Sequence, residues 1–250
     1  MGPADSINIA MEGDSWFRLP DFAVKLATVG GSDYDIERGL KALGYNVRNN
    51  AHWGDTIETI ALGGKGPGGY LDVLLGWKPD VFLLGGGGND LLGMKSGLNG
   101  RLADFIHQHR GGEDMKPSEY LDTAAFDEAV HQILLFYRFI FEDLASRNQT
   151  KQLEILIHGY DYPEPKELAW ISKPLKFRGV PREKWAGVIK VAMDRYNKAL
   201  SKLAGQYPGF VQYVNLRGVV PRDEWHDELH PTRAGFDAVC ARFHEAIGKL

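Results

Sequence analysis

The chain has 250 residues, of which 44% are apolar and 25% are charged, and a formal net charge of −4 at pH 7. This composition excludes a disordered chain, and the weakly acidic balance offers no attraction for nucleic acid or anionic lipid. The single cysteine, Cys240, excludes an internal disulfide and any multi-cysteine metal site. We expect one domain over residues 1–250, because this length is near the upper limit for a single core.

Five short apolar segments are predicted to be buried strands, because each is bounded by Gly, Asp or Asn and is rich in leucine or β-branched residues. In chain order they are residues 7–11, 45–48, 81–84, 153–157 and 210–216. Apolar residues at helical spacing occupy 126–144 and 188–203, and a last helix is predicted from Pro231 to residue 247. Strands that alternate with helices predict a parallel sheet covered on both faces, whose ligands bind beyond the carboxyl ends of the strands.

No segment is predicted to enter a membrane. The first residues lack the basic and long apolar stretches of a secretion signal. The most apolar later window, 133–140, contains Arg138 and is too short to cross a bilayer. We therefore expect no integral membrane segment and a cytoplasmic location, or a secreted or periplasmic one if a signal has been removed.

A sharp turn follows the first predicted strand, where the sequence reads Glu12-Gly13-Asp14-Ser15-Trp16. Glycine permits such a turn, and free backbone N–H groups near Ser15 can stabilise negative charge. These features suit a nucleophilic serine, although a serine at this point is also typical of a helix N-cap.

Glycine-rich loops follow the second and third strands. Gly54, within residues 49–56, could bring a bare backbone N–H close to a ligand, although ordinary turn chemistry explains it equally well. Four consecutive glycines, 85–88, cost conformational entropy, so the fold must need the space there. Asn89 follows them, and its amide could donate a hydrogen bond to an oxyanion.

Two overlapping Asp-x-x-His patterns precede the last predicted helix, Asp223/His226 and Asp227/His230. A carboxylate three residues before a histidine can hold the imidazole in one tautomer within a single loop. We favour Asp227 and His230, because Pro231 and the following helix anchor their loop. His226 is interpreted as a polar bystander.

Another histidine and another aspartate, His158 and Asp161, follow the fourth strand. In one interpretation His158 is a hydrogen-bonding histidine that lines the site. In the other, His158 or Asp161 binds substrate, or Asp161 takes part of the role of orienting the catalytic histidine.

Taken in order, residues 13–15, 50–54, 87–90 and 227–231 resemble the sequence blocks of the SGNH (GDSL) hydrolases, a family named for its Ser, Gly, Asn and His. The resemblance spans residues 13–235. It implies a flavodoxin-like three-layer α/β/α sandwich with a five-stranded parallel sheet, and hydrolysis of esters or thioesters.

The resemblance also implies a role for each matching residue. Ser15 would be the nucleophile, His230 the general base and then acid, and Asp227 the residue that orients His230. The oxyanion hole would consist of the backbone N–H groups of Ser15 and Gly54 and the side chain of Asn89. The substrate would be a small-molecule ester, and neither a metal nor a cofactor is expected.

Two stretches outside the simple alternation, 93–122 and 160–185, begin near strand ends and are candidates for lids over the site. The aromatic residues of the second stretch, Trp170, Phe177 and Trp185, favour an apolar acyl pocket and hence a carboxylesterase acting on short- to medium-chain acyl esters. Trp16 is a further candidate for substrate contact. Because aromatic rings also stack on sugars, carbohydrate O-deacetylation is the alternative, beside the lysophospholipase and thioesterase activities of the same family.

Two rival interpretations come from other classes of protein. Residues 64–69 fit the G-x-G-x-x-G pattern of nucleotide-binding proteins, but that pattern must follow a strand, and residues 56–62 predict a helix. A catalytically inactive member that binds lipid or glycan is the second rival. The five residues to which the resemblance gives a chemical role are all present, which favours an enzyme: Ser15, Gly54, Asn89, Asp227 and His230.

Overall fold

The predicted strands form one parallel sheet with the order β2-β1-β3-β4-β5. They are β1 (Asn8–Glu12), β2 (Asn46–Asn49), β3 (Val81–Gly85), β4 (Glu154–His158) and β5 (Val211–Val214). The computed structural model describes residues 7–19, 34–64, 66, 68–93, 100–150, 153–167 and 170–250. All five strand predictions are confirmed, although β5 is shorter than predicted because the chain leaves the sheet after Val214.

The register brings the carboxyl ends of the strands to one edge of the sheet. Glu12 of β1 is opposite Leu84 of β3, and Gly85 of β3 is opposite His158 of β4. β3 is buried over its whole length, as expected for a central strand with both faces covered. The loops after β1, β3 and β4 therefore begin side by side. Because the strand order reverses between β1 and β3, this edge is where doubly wound folds bind ligands.

In the part of the chain that the structure describes, helices of different lengths lie between and after the strands. They are α1 (Ile36–Ala42), α2 (Ile57–Gly63), α3 (Tyr70–Trp77), α4 (Gly88–Leu92), α5 (Pro117–Tyr120), α6 (Thr123–Ala145), α7 (Ser172–Phe177), α8 (Trp185–Ala204) and α9 (Arg233–Ile247). Short 3₁₀ turns occupy Arg101–Phe105, Asn148–Thr150 and Arg182–Lys184.

The helices fall into two packed groups, as right-handed crossovers from this strand order require. α1 packs against α9, while α2 and α8 pack against α6. Cys240 lies on the buried side of α9 beside α1, with 1% of its surface exposed, and is a core residue. The arrangement is a three-layer α/β/α sandwich, as predicted.

The helix ends follow from local capping. Asp122 accepts a hydrogen bond from the N–H of Ala125 and begins α6 one turn before the predicted apolar stripe. The last helix begins at Arg233 and not at Pro231 as predicted, because the Thr232 side chain accepts a hydrogen bond from the N–H of Gly235 and is the N-cap.

None of the described helices is long and apolar enough to cross a membrane.

Candidate active site

Three side chains from opposite ends of the chain form a hydrogen-bonded series. The Nε2 atom of His230 lies 2.8 Å from the Oγ atom of Ser15, and its Nδ1 atom lies 2.8 Å from Oδ2 of Asp227. Since a carboxylate only accepts hydrogen bonds, it holds the imidazole proton on Nδ1 and leaves the Nε2 lone pair facing the serine hydroxyl. This geometry is that of a serine nucleophile with its base and an orienting acid.

The loop that carries Asp227 and His230 is stabilised from within. The second carboxylate oxygen of Asp227, Oδ1, accepts the backbone N–H groups of Leu229 at 2.7 Å and His230 at 2.8 Å. Burial alone would raise the pKa of Asp227, but the hydrogen bonds and charge of His230 and these backbone donors lower it below its ordinary value. Asp227 is therefore charged at neutral pH and can stabilise an imidazolium.

Ser15 lies in a tight turn at the end of β1. The N–H of Phe17 donates to the carbonyl of Asp14 at 3.1 Å, and the N–H of Trp16 donates to the Asp14 side chain at 3.0 Å. The indole N–H of Trp16 donates to the carbonyl of Leu229 at 2.9 Å, which connects the turn of Ser15 to the loop of His230. Trp16 thus has a positioning role as well as a ring that borders the cleft.

The three proposed oxyanion donors surround the same space. Gly54 has a φ of +85°, a conformation that favours glycine, and its backbone borders the cleft. The amide nitrogen of Asn89 donates to the carbonyl of Asp55 at 2.9 Å, which joins the second and third loops. Ser15, Gly54, Asn89 and His230 line one cavity of about 350 Å³.

The run of four glycines is explained by crowding behind Asn89. Gly87 has a φ of +94°, and a Cβ there would collide with the hydroxyl of Tyr196. That hydroxyl donates to the carbonyl of Gly86. The space that the four glycines were predicted to need is therefore taken by buried side chains: His158 at Gly85, Ile57 at Gly86, Tyr196 at Gly87 and Tyr160 at Gly88.

Tyr160 joins two of the functional loops, a role that sequence analysis missed. Its hydroxyl donates to Oδ2 of Asp14 and accepts the backbone N–H of Gly88 at 3.1 Å. Burial, with the charge of Asp14 as a further cause, raises the pKa of Tyr160 well above 10, so the hydroxyl keeps its proton. No local pattern distinguishes this tyrosine from the other buried aromatics.

Neither His158 nor Asp161 reaches the cleft. His158 is fully buried, its Nδ1–H donates to the carbonyl of Gly159 at 2.6 Å, and its ring packs against Trp16 and Phe17. Burial lowers the pKa of His158, which favours the neutral ring. The hypothesis that His158 binds substrate is therefore wrong, and its role is packing beneath the nucleophile turn.

Asp161 stabilises a turn after β5. Its carboxylate accepts the backbone N–H groups of Tyr162 at 2.7 Å, Gly218 at 2.5 Å and Val220 at 2.6 Å. With 1% of its surface exposed, it has no route to substrate, and Asp227 occupies the orienting position beside His230. Both functional hypotheses for Asp161 are therefore wrong.

One group of side chains among the described residues has the composition of a metal site. Glu12, His52 and Asp55 each place a ligand atom within 4.8 Å of the other two. Burial, followed by the charge of Asp55, raises the pKa of Glu12 to about 9. In the protein alone, burial therefore favours the protonated carboxyl of Glu12.

The cleft has two compartments that meet at Ser15 and Asn89. The narrow one, of about 40 Å³, is bordered mainly by apolar side chains, among them Leu91, Met193 and Tyr160. The wide one, of about 350 Å³, contains His230, Gly54 and the rings of Trp53 and Trp170.

Both stretches proposed as lids supply residues to this cleft. Gly93 and Arg101 border the wide compartment, and Pro163 and Trp170 come from the second stretch; residues 94–99 and 168–169 lie outside the described ranges. The aromatic residues contribute unequally. Trp185 is buried in the core at the start of α8, and Phe177 is 53% exposed, so only Trp170 of the three faces the cleft.

The glycine cluster at 64–69 has no nucleotide-binding context. Of its described residues, Gly64 ends α2 and Gly69 begins α3, so the cluster joins two helices. A dinucleotide loop follows a strand. The fingerprint also has an acidic residue about 20 positions further on, where this chain has Asp90. Asp90 instead accepts the N–H of Ile57 at 3.0 Å and caps α2.

No protein-family model and no curated protein matches the chain. Solved structures do match over nearly its whole length. An extracellular lipase from Streptomyces rimosus is 17% identical with a TM-score of 0.56, covering 96% of this chain and 100% of its own. An acetylxylan esterase from Geobacillus stearothermophilus, in a catalytic-mutant form, is 15% identical with a TM-score of 0.52, covering 97% and 94%.

A candidate GDSL-like lipase from Parabacteroides merdae is 14% identical with a TM-score of 0.54, covering 97% of this chain and 96% of its own. At these identities the similarity concerns the fold. The strand order, the layers and the extent of the matches agree with the fold that the sequence blocks predicted. The chain therefore has the fold of the SGNH (GDSL) hydrolases.

Proposed function

We propose that the protein is a serine ester hydrolase that works through an acyl-enzyme on Ser15. The observation that carries this proposal is the series Ser15–His230–Asp227, with both contacts at 2.8 Å, at the floor of an open cleft. A serine hydroxyl is a weak nucleophile until a base accepts its proton, and His230 is placed to do so.

In the first half of the reaction, Ser15 Oγ attacks the ester carbonyl while its proton passes to Nε2 of His230. Negative charge develops on the carbonyl oxygen, and the N–H groups of Ser15 and Gly54 with the amide of Asn89 are the donors available to stabilise it. The imidazolium, stabilised by Asp227, then gives its proton to the departing alcohol. Water repeats the sequence on the acyl-enzyme and restores the free serine.

The substrate expected from sequence is an ester with a short- to medium-chain acyl group, and the apolar narrow compartment supports an acyl site. One observation favours carbohydrate O-deacetylation as a second candidate. Trp53 and Trp170 both border the wide compartment, and Trp53 is 58% exposed, as a stacking platform for a sugar ring would be. Thioesters and lysophospholipids would undergo the same chemistry on this triad.

The test is hydrolysis of p-nitrophenyl esters by wild type and by Ser15→Ala. We expect turnover in wild type and a loss of about 10⁴-fold or more in the variant. The two Asp-x-x-His patterns offer a matched comparison, in which the variant of one histidine is the control for the other. His230→Ala should be as inactive as Ser15→Ala, whereas His226→Ala should retain most activity. Absence of Ser15-dependent turnover on every ester would contradict the proposal.

A further inference from the structure

The division of the cleft shows which part of an ester enters each compartment, if the proposed function holds. The departing alcohol must lie beside the atom that protonates it, Nε2 of His230. His230 borders the wide compartment and not the narrow one. Ser15 and Asn89 border both, so the reacting carbonyl lies at the junction. The alcohol therefore enters the wide compartment, and the acyl chain enters the narrow one.

The narrow compartment admits few atoms. Its interior is about 40 Å³, against about 350 Å³ for the alcohol side. The acyl side of the ester therefore has much less space than the alcohol side. From this we infer that the protein selects short acyl groups joined to alcohols that can be much larger.

The size limit comes from the side chain of Met193. Met193 of α8 is 4% exposed and borders the narrow compartment together with Leu91 and Leu92 of α4. α8 packs against α6 and β4, so its backbone cannot withdraw to admit a longer chain. Met193 is therefore a specificity-determining residue, and shortening its side chain should lengthen the acyl groups that are accepted.

The test compares the acetate, butyrate and octanoate of p-nitrophenol, since the alcohol is then constant. In wild type, kcat/KM for octanoate should be at least about 100-fold below that for acetate. In Met193→Ala the ratio of octanoate to acetate should rise at least about 10-fold. Val188→Ala is the matched control, because Val188 is equally buried on α8 but does not border the compartment. It should leave the ratio unchanged.

The outcomes separate this inference from the proposed function. Ser15-dependent hydrolysis of octanoate within tenfold of acetate in wild type would overturn the acyl-size limit and leave the ester hydrolase intact. An unchanged ratio in Met193→Ala would overturn the role of Met193. Lack of Ser15-dependent turnover on all three esters would overturn the proposed function itself. Should Met193→Ala fail to fold, Met193→Val is to be measured in its place, with the same expected direction.

Discussion

At the scale of single residues, the hydroxyl of Tyr160 joins the loops that carry Ser15 and Asn89, the proposed nucleophile and one proposed oxyanion donor. It bonds the Asp14 carboxylate on one side and the N–H of Gly88 on the other, and these residues precede Ser15 and Asn89 directly. Hydrogen bonds to charged groups contribute about 1.5–3 kcal/mol each. Loss of this hydroxyl would let the two loops move relative to each other without emptying the core.

We predict that Tyr160→Phe lowers kcat by about 10- to 100-fold and changes KM little, because the ring that borders the acyl compartment is retained. Steady-state kinetics on a p-nitrophenyl ester would measure this. Tyr162→Phe is the control, since its hydroxyl bonds Asp194 away from the triad, and its kinetics should match wild type. A kcat for Tyr160→Phe equal to wild type would contradict the positioning role.

Glu12 is a buried residue with a consequence for stability. Its pKa rises from an ordinary value of 4.5 to about 9, first because of burial and second because of the Asp55 charge. Between these values the native state holds a proton that the unfolded chain releases. The contribution of this group to stability is therefore greatest in acid and falls as the pH rises towards 9.

Glu12→Gln keeps the shape of the side chain but cannot ionise. Between about pH 5.5 and pH 8, the unfolding free energy of wild type should fall relative to that of the variant by about 1.4 kcal/mol per pH unit. Urea denaturation at several pH values measures both slopes. Glu58→Gln, on the exposed side of α2, should behave like wild type. Parallel pH dependences for wild type and Glu12→Gln would show that Glu12 ionises normally in the native state.

At the scale of elements, Glu228 joins the catalytic loop to the segment that leads into α7. This fully buried carboxylate accepts the backbone N–H groups of Lys166, Trp170, Ile171 and Ser172 at 2.7–3.2 Å. Burial alone would raise the pKa of Glu228, but the side chain of Ser172 and the backbone N–H groups of Ile171, Ser172 and Trp170 lower it below its ordinary value. Glu228 adjoins Asp227, so it also sets the place of Trp170 relative to the triad.

Glu228→Gln should lower the free energy of unfolding by about 2–4 kcal/mol, because an amide nitrogen would face backbone donors. Chemical denaturation at pH 7 checks this, with Glu183→Gln on the exposed 3₁₀ turn as a neutral control. Because the pKa of Glu228 is lowered in the native state, the difference between wild type and Glu228→Gln should shrink as the pH falls below about 4.5. A difference that stays constant down to pH 3 would contradict this account.

At the scale of the whole molecule, topology brings together residues that lie far apart in the chain. Ser15 and His230 are 215 positions apart and meet because β1 is central in the sheet and α9 returns to pack on α1. The proposed oxyanion donors come from the loops after β1, β2 and β3, which emerge at one edge. We propose that residues 1–250 fold as one domain, since the triad requires both ends of the chain.

Sequence alone determined the five strands and the three longest helices to within a few residues, the fold class and the candidate triad. These features are local: apolar periodicity marks each element, and the Asp-x-x-His and Gly-Asp-Ser patterns each lie in one loop. The contacts of Tyr160, Glu228 and Met193, and the places of His158 and Asp161, were decided only by the tertiary structure. Each of these depends on contacts between distant segments in a packed core, and neither composition nor spacing records which side chains meet there.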